Sequence, residues 1–198
     1  MRVLGVDPGL GRCGWAVLEG RGGRVVAVGY GTVHTAGEQV APRLAALAAR
    51  LRQVLAVHRP DALAIERLFF NANVRTAMTV GQASGVVLLL AAEHGLEVSA
   101  YTPPQVKLAV TGSGSAPKEQ VGYMVKTLLG LAAVPAPADT ADALAVALCH
   151  LNHAGLAGLG AAGGAGGGVV GAAPAADWLA RAAPTSPGLR PPPKGARR

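Results

Sequence analysis

Apolar and polar positions along the first hundred residues change period three times. Arg2 to Asp7 and Cys13 to Glu19 are apolar runs on either side of a Pro8-Gly9 turn, and Val25 to His34 is a third. Together they predict an antiparallel meander. From Val40 to His58 the spacing lengthens. Leu44, Leu47, Leu51 and Val54 or Leu55 recur at helical intervals, with Arg43, Arg50 and Arg52 among them and Pro60 beyond the end, which predicts an amphipathic helix. DALAIE, Asp61 to Glu66, reads as a short buried strand. Thr76 to His94 reads as a largely apolar helix stopped by Gly95, and Leu96 to Tyr101 as a fifth strand. Two more helices are predicted, Lys118 to Leu129 and Ala138 to Leu151.

Three strands, helix, strand, helix, strand, then helices is the order of an α/β fold with a mixed five-stranded sheet flanked by helices. A strand-helix-strand crossover is right-handed and its strands tend to be close, so DALAIE can lie parallel to the first strand and beside it. Each of those two strands ends in a carboxylate, Asp7 and Glu66. As parallel neighbours they would present both acids at one edge of the sheet.

The periodicity stops near residue 154, where GLAGLGAAGGAGGGVVGAA begins and a Pro-rich stretch ending PPPKGARR follows. This predicts one domain over 1–153 and a Gly/Ala/Pro-rich, basic, disordered tail over 154–198. The charges divide there, with 13 basic and 10 acidic residues in the body against 5 and 1 in the tail. A net charge of +7 suits a polyanionic partner, nucleic acid or an anionic membrane. No apolar stretch was expected to approach the roughly 20 residues of a membrane span, and Met1 leads straight into a strand, so the expectation is a cytoplasmic protein without a membrane partner. Cys13 and Cys149 lack the paired spacing of a zinc site and read as buried apolar residues, Cys149, His150 and His153 being too few for a ligand set.

Asp139 and Asp142 lie three apart in ADTADALAVALCH, on one face of the last predicted helix. With the first turn of that helix over the strand ends, four carboxylates would converge. Packed like charges repel and raise one another's pKa unless a cation intervenes, so the pattern points to a divalent-metal site, with all-oxygen ligation suiting Mg²⁺ or Mn²⁺. Three of the acids also have a structural use, Asp139 as a helix cap, Asp7 as a turn initiator and Glu66 as a partner for an arginine, while Asp142 is harder to dismiss because the face it shares with Ala138 and Ala145 is apolar.

VLGVDPGLGRCGWAV, LAIERLFFNANVRTAMTVGQASGVVLLLA, YTPPQVKLAVTGSGSAPKEQV and PAPADTADALAVALCH resemble, in order and spacing, segments of the RuvC family of Holliday junction resolvases. The resemblance spans residues 1 to about 153 and leaves out the tail. It implies a ribonuclease H-like fold and a homodimer that cuts four-way DNA junctions by paired symmetric hydrolysis, leaving 5′-phosphate and 3′-hydroxyl ends. It also implies two divalent ions per active site, Mg²⁺ or Mn²⁺, with Asp7, Glu66, Asp139 and Asp142 as metal ligands and catalytic acids. Lys107 and Lys118 match its basic positions near the scissile phosphate, and they flank TGSGSAP, whose small residues allow close backbone approach. Phe69 matches an aromatic that meets the junction; Phe70 and Arg75 are further DNA-contact candidates, with Lys126 and Arg67 weaker ones. A branch-migration motor of the RuvA and RuvB type is an implied partner. The apolar helix 76–94, with Gly81 and Gly85 four apart, is the candidate dimer surface.

Three other readings share these features: an actin-like phosphotransferase, for which 198 residues leave no second nucleotide lobe, a simpler ribonuclease H, and an inert junction-binding module. For the tail, truncation after about His153 is expected to leave a folded, active core with weaker DNA affinity and a flatter salt dependence. Urea unfolding and junction titration at several salt concentrations check it.

Overall fold

The computed structural model describes residues 1–21, 24–67 and 74–162. Its elements in chain order are β1 (Arg2–Asp7), β2 (Arg12–Arg21), β3 (Arg24–His34), α1 (Val40–His58), β4 (Ala62–Glu66), α2 (Val74–Glu93), β5 (Glu97–Tyr101), α3 (Pro103–Thr111), α4 (Lys118–Leu129) and α5 (Ala138–Ala162). The five strands form one mixed sheet in the order β3-β2-β1-β4-β5. β1 is antiparallel to β2 and parallel to β4, with Val6 opposite Ile65. One step further along both strands stand Asp7 and Glu66, the juxtaposition expected of a right-handed crossover through α1.

Two cores lie on opposite faces of the sheet. Val3, Ala16, Leu18, Ala64 and Tyr101 pack under α3, α4 and α5. Leu4, Val6, Val17, Leu63 and Ile65 pack under α1 and α2. The period-2 alternation of β1 and β4 assigns residues to these two layers, and by that alternation Asp7 and Glu66 belong to the α5 layer.

α5 reaches the sheet at backbone distance because β1 and β2 carry glycine where it crosses. A Cβ added at Gly14 would overlap the Asp139 carbonyl, and one at Gly5 would stand 2.8 Å from the Ala147 Cβ and collide with the Ala143 carbonyl. Gly14 is the register partner of Asp7. The same small residues that admit the helix therefore bring its first turn to the β1 carboxylate.

The structure departs from the expected elements in three places. Residues 103–111 are helical, which the prolines at 103 and 104 concealed; proline is well tolerated in a first helical turn. Thr102 and Gln105 there form a reciprocal capping box, a signal present in the sequence as T-x-x-Q. α5 runs on to Ala162, past the expected domain boundary at 153, its alanines and leucines favouring helix against the glycines at 155, 158 and 160; the rest of the tail lies outside the described residues. Thr76–Glu93 of α2 is, by length and composition, apolar enough to cross a membrane, against the expectation that no stretch is. Ala83, Val87, Leu90 and Ala91 of α2 are buried in the protein's own core. Met78 and Leu89 are exposed at 62% and 57%, so the helix has a second apolar stripe.

Gly14 and Gly85 should respond differently to an added methyl group. Gly14→Ala should cost about 1 to 3 kcal/mol of stability, since the helix must shift to admit the methyl group. Gly85→Ala on α2, where a Cβ meets nothing within 4 Å, should be neutral or stabilising by up to about 1 kcal/mol. Urea unfolding of both variants measures the contrast.

Candidate active site

Asp7 ends β1, Glu66 ends β4, and Asp139 and Asp142 occupy the first turns of α5. Asp7 is a half-buried carboxyl held up at about 7, first by burial and then by the charges of Glu66, Asp142 and Asp139, with Lys118 opposing. Glu66 is also raised, by burial and then Asp142, against Lys118 and Lys107. Each of the four acids thus acts on another through space. Burial and like charge together are the conditions under which carboxylates resist ionising.

Lys118, at the start of α4, places Nζ 3.2 Å from Asp142 Oδ2. Its pKa is raised, chiefly by Asp142 and then by Asp7 and Glu66. The lysine is 73% exposed and Asp142 25%, so the pair sits at the mouth of the cluster, with most of the ammonium open to an incoming anion. Lys107, on α3, lies close enough to lower Glu66. Both sequence-predicted lysines therefore join the acids. Lys126 stands eight residues further along α4, about 12 Å from Lys118 along the axis. Arg67 follows Glu66 directly and its Nε is buried with no hydrogen-bond partner among the described residues. Phe69 and Phe70 lie outside the described residues; Arg75 is in the first turn of α2.

Among the described residues no three His, Cys, Asp or Glu side chains surround one metal-sized point. The four acids share a site without forming a closed ligand cage, and Asp142 is turned to Lys118. The donor set nonetheless fits a hard divalent ion. It is all oxygen, it is partly buried, and its mutual repulsion is what a cation would relieve. Ligation by Asp142 would require it to exchange Lys118 for the ion. The Cys149, His150 and His153 group makes no metal site either. Burial pushes the Cys149 thiol up to about 12, and Cys13 likewise, which keeps both as protonated core residues.

Two contacts that hold the site escaped the sequence reading. The Thr32 and Thr140 hydroxyls are 2.8 Å apart, joining β3 to the α5 residue next to Asp139, and Thr140 is buried. Tyr101, opposite Glu66 in the β4–β5 register, meets His150 Nδ1 through its hydroxyl at 2.9 Å. These tie the helix to both sides of the sheet. In the sequence the only hint was a polar Thr140 inside an apolar helical face.

Comparison with known proteins places this geometry in context. The family model for crossover junction endodeoxyribonuclease RuvC matches residues 3–150. Crossover junction endodeoxyribonuclease RuvC of Frankia alni is 53% identical over 192 residues, covering 96% of this chain and 92% of that protein. The Thermus thermophilus RuvC structure is similar with a TM-score of 0.73 at 41% identity, over 79% of this chain and 97% of that one. T. thermophilus RuvC in complex with Holliday junction substrate gives 0.75 at 40% identity, over 79% and 96%.

The acid cluster should cost the metal-free fold stability at high pH. Asp7 has its folded pKa raised from 3.8 to about 7, so the folded protein keeps a proton that the unfolded chain releases. Its favourable contribution is complete below the unfolded value and lost as pH rises through about 7. Asp7→Asn should therefore raise the unfolding free energy of the metal-free protein by about 1 to 3 kcal/mol near pH 8 and leave it little changed near pH 4. Thermal melts across that range, with and without a divalent ion, test the sign.

Proposed function

This chain belongs to the crossover junction endodeoxyribonuclease RuvC family, and on that premise we propose that Asp7, Glu66, Asp139 and Asp142 are its metal ligands and catalytic acids. The protein is a metal-dependent endonuclease that resolves four-way DNA junctions in recombination and repair, leaving 5′-phosphate and 3′-hydroxyl ends. The observation that carries the site assignment is the seating of the first turn of α5 against Gly14, the register partner of Asp7, which brings Asp139 and Asp142 to the adjacent strand ends of Asp7 and Glu66. Nothing in a stable core calls for four mutually repelling carboxylates at one sheet edge.

We propose two Mg²⁺ ions per site, with Mn²⁺ able to substitute. Bound there, they would supply activation of the attacking water and charge stabilisation at the departing 3′ oxygen. The chain's own residues supply the rest. Asp7 and Glu66, on adjacent strand ends, are held rigidly by the sheet ladder, which gives the site its fixed half. Asp139 and Asp142 come from a helix seated on glycines and tied by Thr32 and Tyr101. Lys118 and Lys107 bring positive charge to the mouth, where a phosphodiester would otherwise meet only carboxylates. As a phosphate takes Lys118, Asp142 is released to turn inward, so substrate and metal favour one another's binding.

Phe69 is assigned to stack on a base at the crossover, and Phe70 and Arg75 to contact the DNA as well. The functional unit is proposed to be a homodimer formed on the outward stripe of α2, where Met78 and Leu89 are exposed. Paired sites related by a two-fold would nick two strands symmetrically. Delivery by a RuvA and RuvB branch-migration complex, in the cytoplasm, completes the proposal.

Asp7→Asn and Glu66→Gln should each lower junction cleavage by about a thousandfold or more while leaving junction affinity equal or tighter, since each removes a negative charge facing phosphates. The assay compares a four-way junction, linear duplex and RNA/DNA hybrid with Mg²⁺. Robust nicking by either variant would remove that residue from the site. Preferential cutting of hybrid would instead favour a ribonuclease H, and binding without cutting by the parent chain an inert junction module.

A further inference from the structure

β3 is an edge strand, and beside it, on the sheet face away from α5, lies a half-open cavity of about 430 Å³ between β3 and α1. Its floor is Trp15 with Gly31 and Val33, and its α1 wall is Arg50, Gln53 and Val54. Glycine at 29 and 31 makes room for the indole: a Cβ at Gly31 would stand 3.4 Å from Trp15 Nε1, and one at Gly29 would press on His58. Trp15 is half-buried, with its ring 5.7 Å from that of His58. The volume falls within the range of ligand sites.

The cavity lies toward the end of the sheet that carries the acids, Gly14 being the register partner of both Asp7 and Thr32. Thr32 and His34 line it, and Thr32 also bonds Thr140, the neighbour of Asp139. His34 is paired with Arg12, two residues before the Gly14 that faces Asp7. α1 starts at this same edge. Its Arg43 bonds Thr35 and lies over Gly11 in the β1–β2 turn. Arg50 follows one heptad later, about 10 Å down the helix axis.

The charge along this wall is unbalanced. The ion pairs among the described residues are Arg2 and Arg21 with Glu19, Arg52 with Glu93, and Lys118 with Asp142. Arg43 and Arg50 have none, and Arg50 meets only the Gln53 amide at 3.2 Å. Glu38 lies in the turn before α1, ahead of both. Opposite them, the edge strand offers backbone N–H groups that no strand among the described residues takes, and such groups bind phosphate oxygens.

From these features we infer that the groove between β3 and α1 holds the phosphodiester backbone of a junction arm, led from the catalytic edge by Arg43 and Arg50 over the Trp15 floor. The inference rests on the junction-cleaving function and adds a track on the sheet face opposite the α5 layer. Its role is to fix the direction in which an arm leaves the site. Arg50 is a binding residue here, remote from the reacting atoms.

The test uses the full-length chain without divalent ions, so that DNA is bound and not cut. Arg50→Gln should weaken four-way junction binding about threefold to tenfold and lower the slope of log affinity against log salt by about one. Arg24→Gln, the same charge change at the exposed far end of β3, should stay near the parent. In a Trp178→Phe background Trp15 is the single remaining tryptophan, and saturating junction should shield it from acrylamide quenching. Junction affinity within twofold of the parent for Arg50→Gln, or Trp15 quenching unchanged by saturating junction, overturns the inference. Shielding that follows protein concentration without DNA assigns the groove to a second copy of this chain and also overturns it. A parent chain that does not bind the junction at all brings down the functional reading, and this inference with it; normal parent binding with an indifferent Arg50→Gln overturns the groove alone.

Discussion

The contact on which the rest of the structure depends is the seating of α5 on the backbone of β1 and β2. Helices usually stand off a sheet by the length of the side chains between them; here Gly5 and Gly14 remove those side chains, and Ala143 and Ala147 present only methyl groups in return. The close approach brings Asp139 and Asp142 to strand ends that already carry Asp7 and Glu66. A bulkier residue at position 14 would separate the two halves of the site while leaving every element formed.

That placement is electrostatically unfavourable by itself. Asp7 and Glu66 are raised because burial and neighbouring acids both oppose ionisation. The fold tolerates the repulsion because two apolar cores clamp the sheet from either side, and because Lys118 and Lys107 answer part of the charge. The bias toward cations follows directly: whatever neutralises the cluster also relaxes the protein. Functional sites are where such locally unfavourable arrangements are retained.

The two sheet faces have different work. The α5 layer is densely packed, and its contacts Thr32 to Thr140 and Tyr101 to His150 hold the helix. The α1 and α2 layer is open at both margins. Exposed Met78 and Leu89 mark one margin, and the cationic groove beside β3 marks the other. The first margin suits the proposed dimer, and the second the proposed track for a junction arm.

Element order, the two strand-terminal acids and the i, i+3 acids of the last helix were legible in the sequence, because alternation, helical spacing and chain order are local properties. So were Lys107 and Lys118, although only their resemblance to a family pattern joined them to the acids. α3 was not predicted: consecutive prolines usually interrupt a helix, and here Pro103 and Pro104 are first-turn residues of a capped one. The extent of α5 was missed because its glycines and alanines read as tail. Tertiary structure alone decided the glycine seat of α5, the threonine tie beside Asp139, the turn of Asp142 to Lys118, and the Trp15 groove. Each of these is a meeting of residues far apart in the chain, 108 positions apart for Thr32 and Thr140, and no local period records which distant backbone will come close enough to touch.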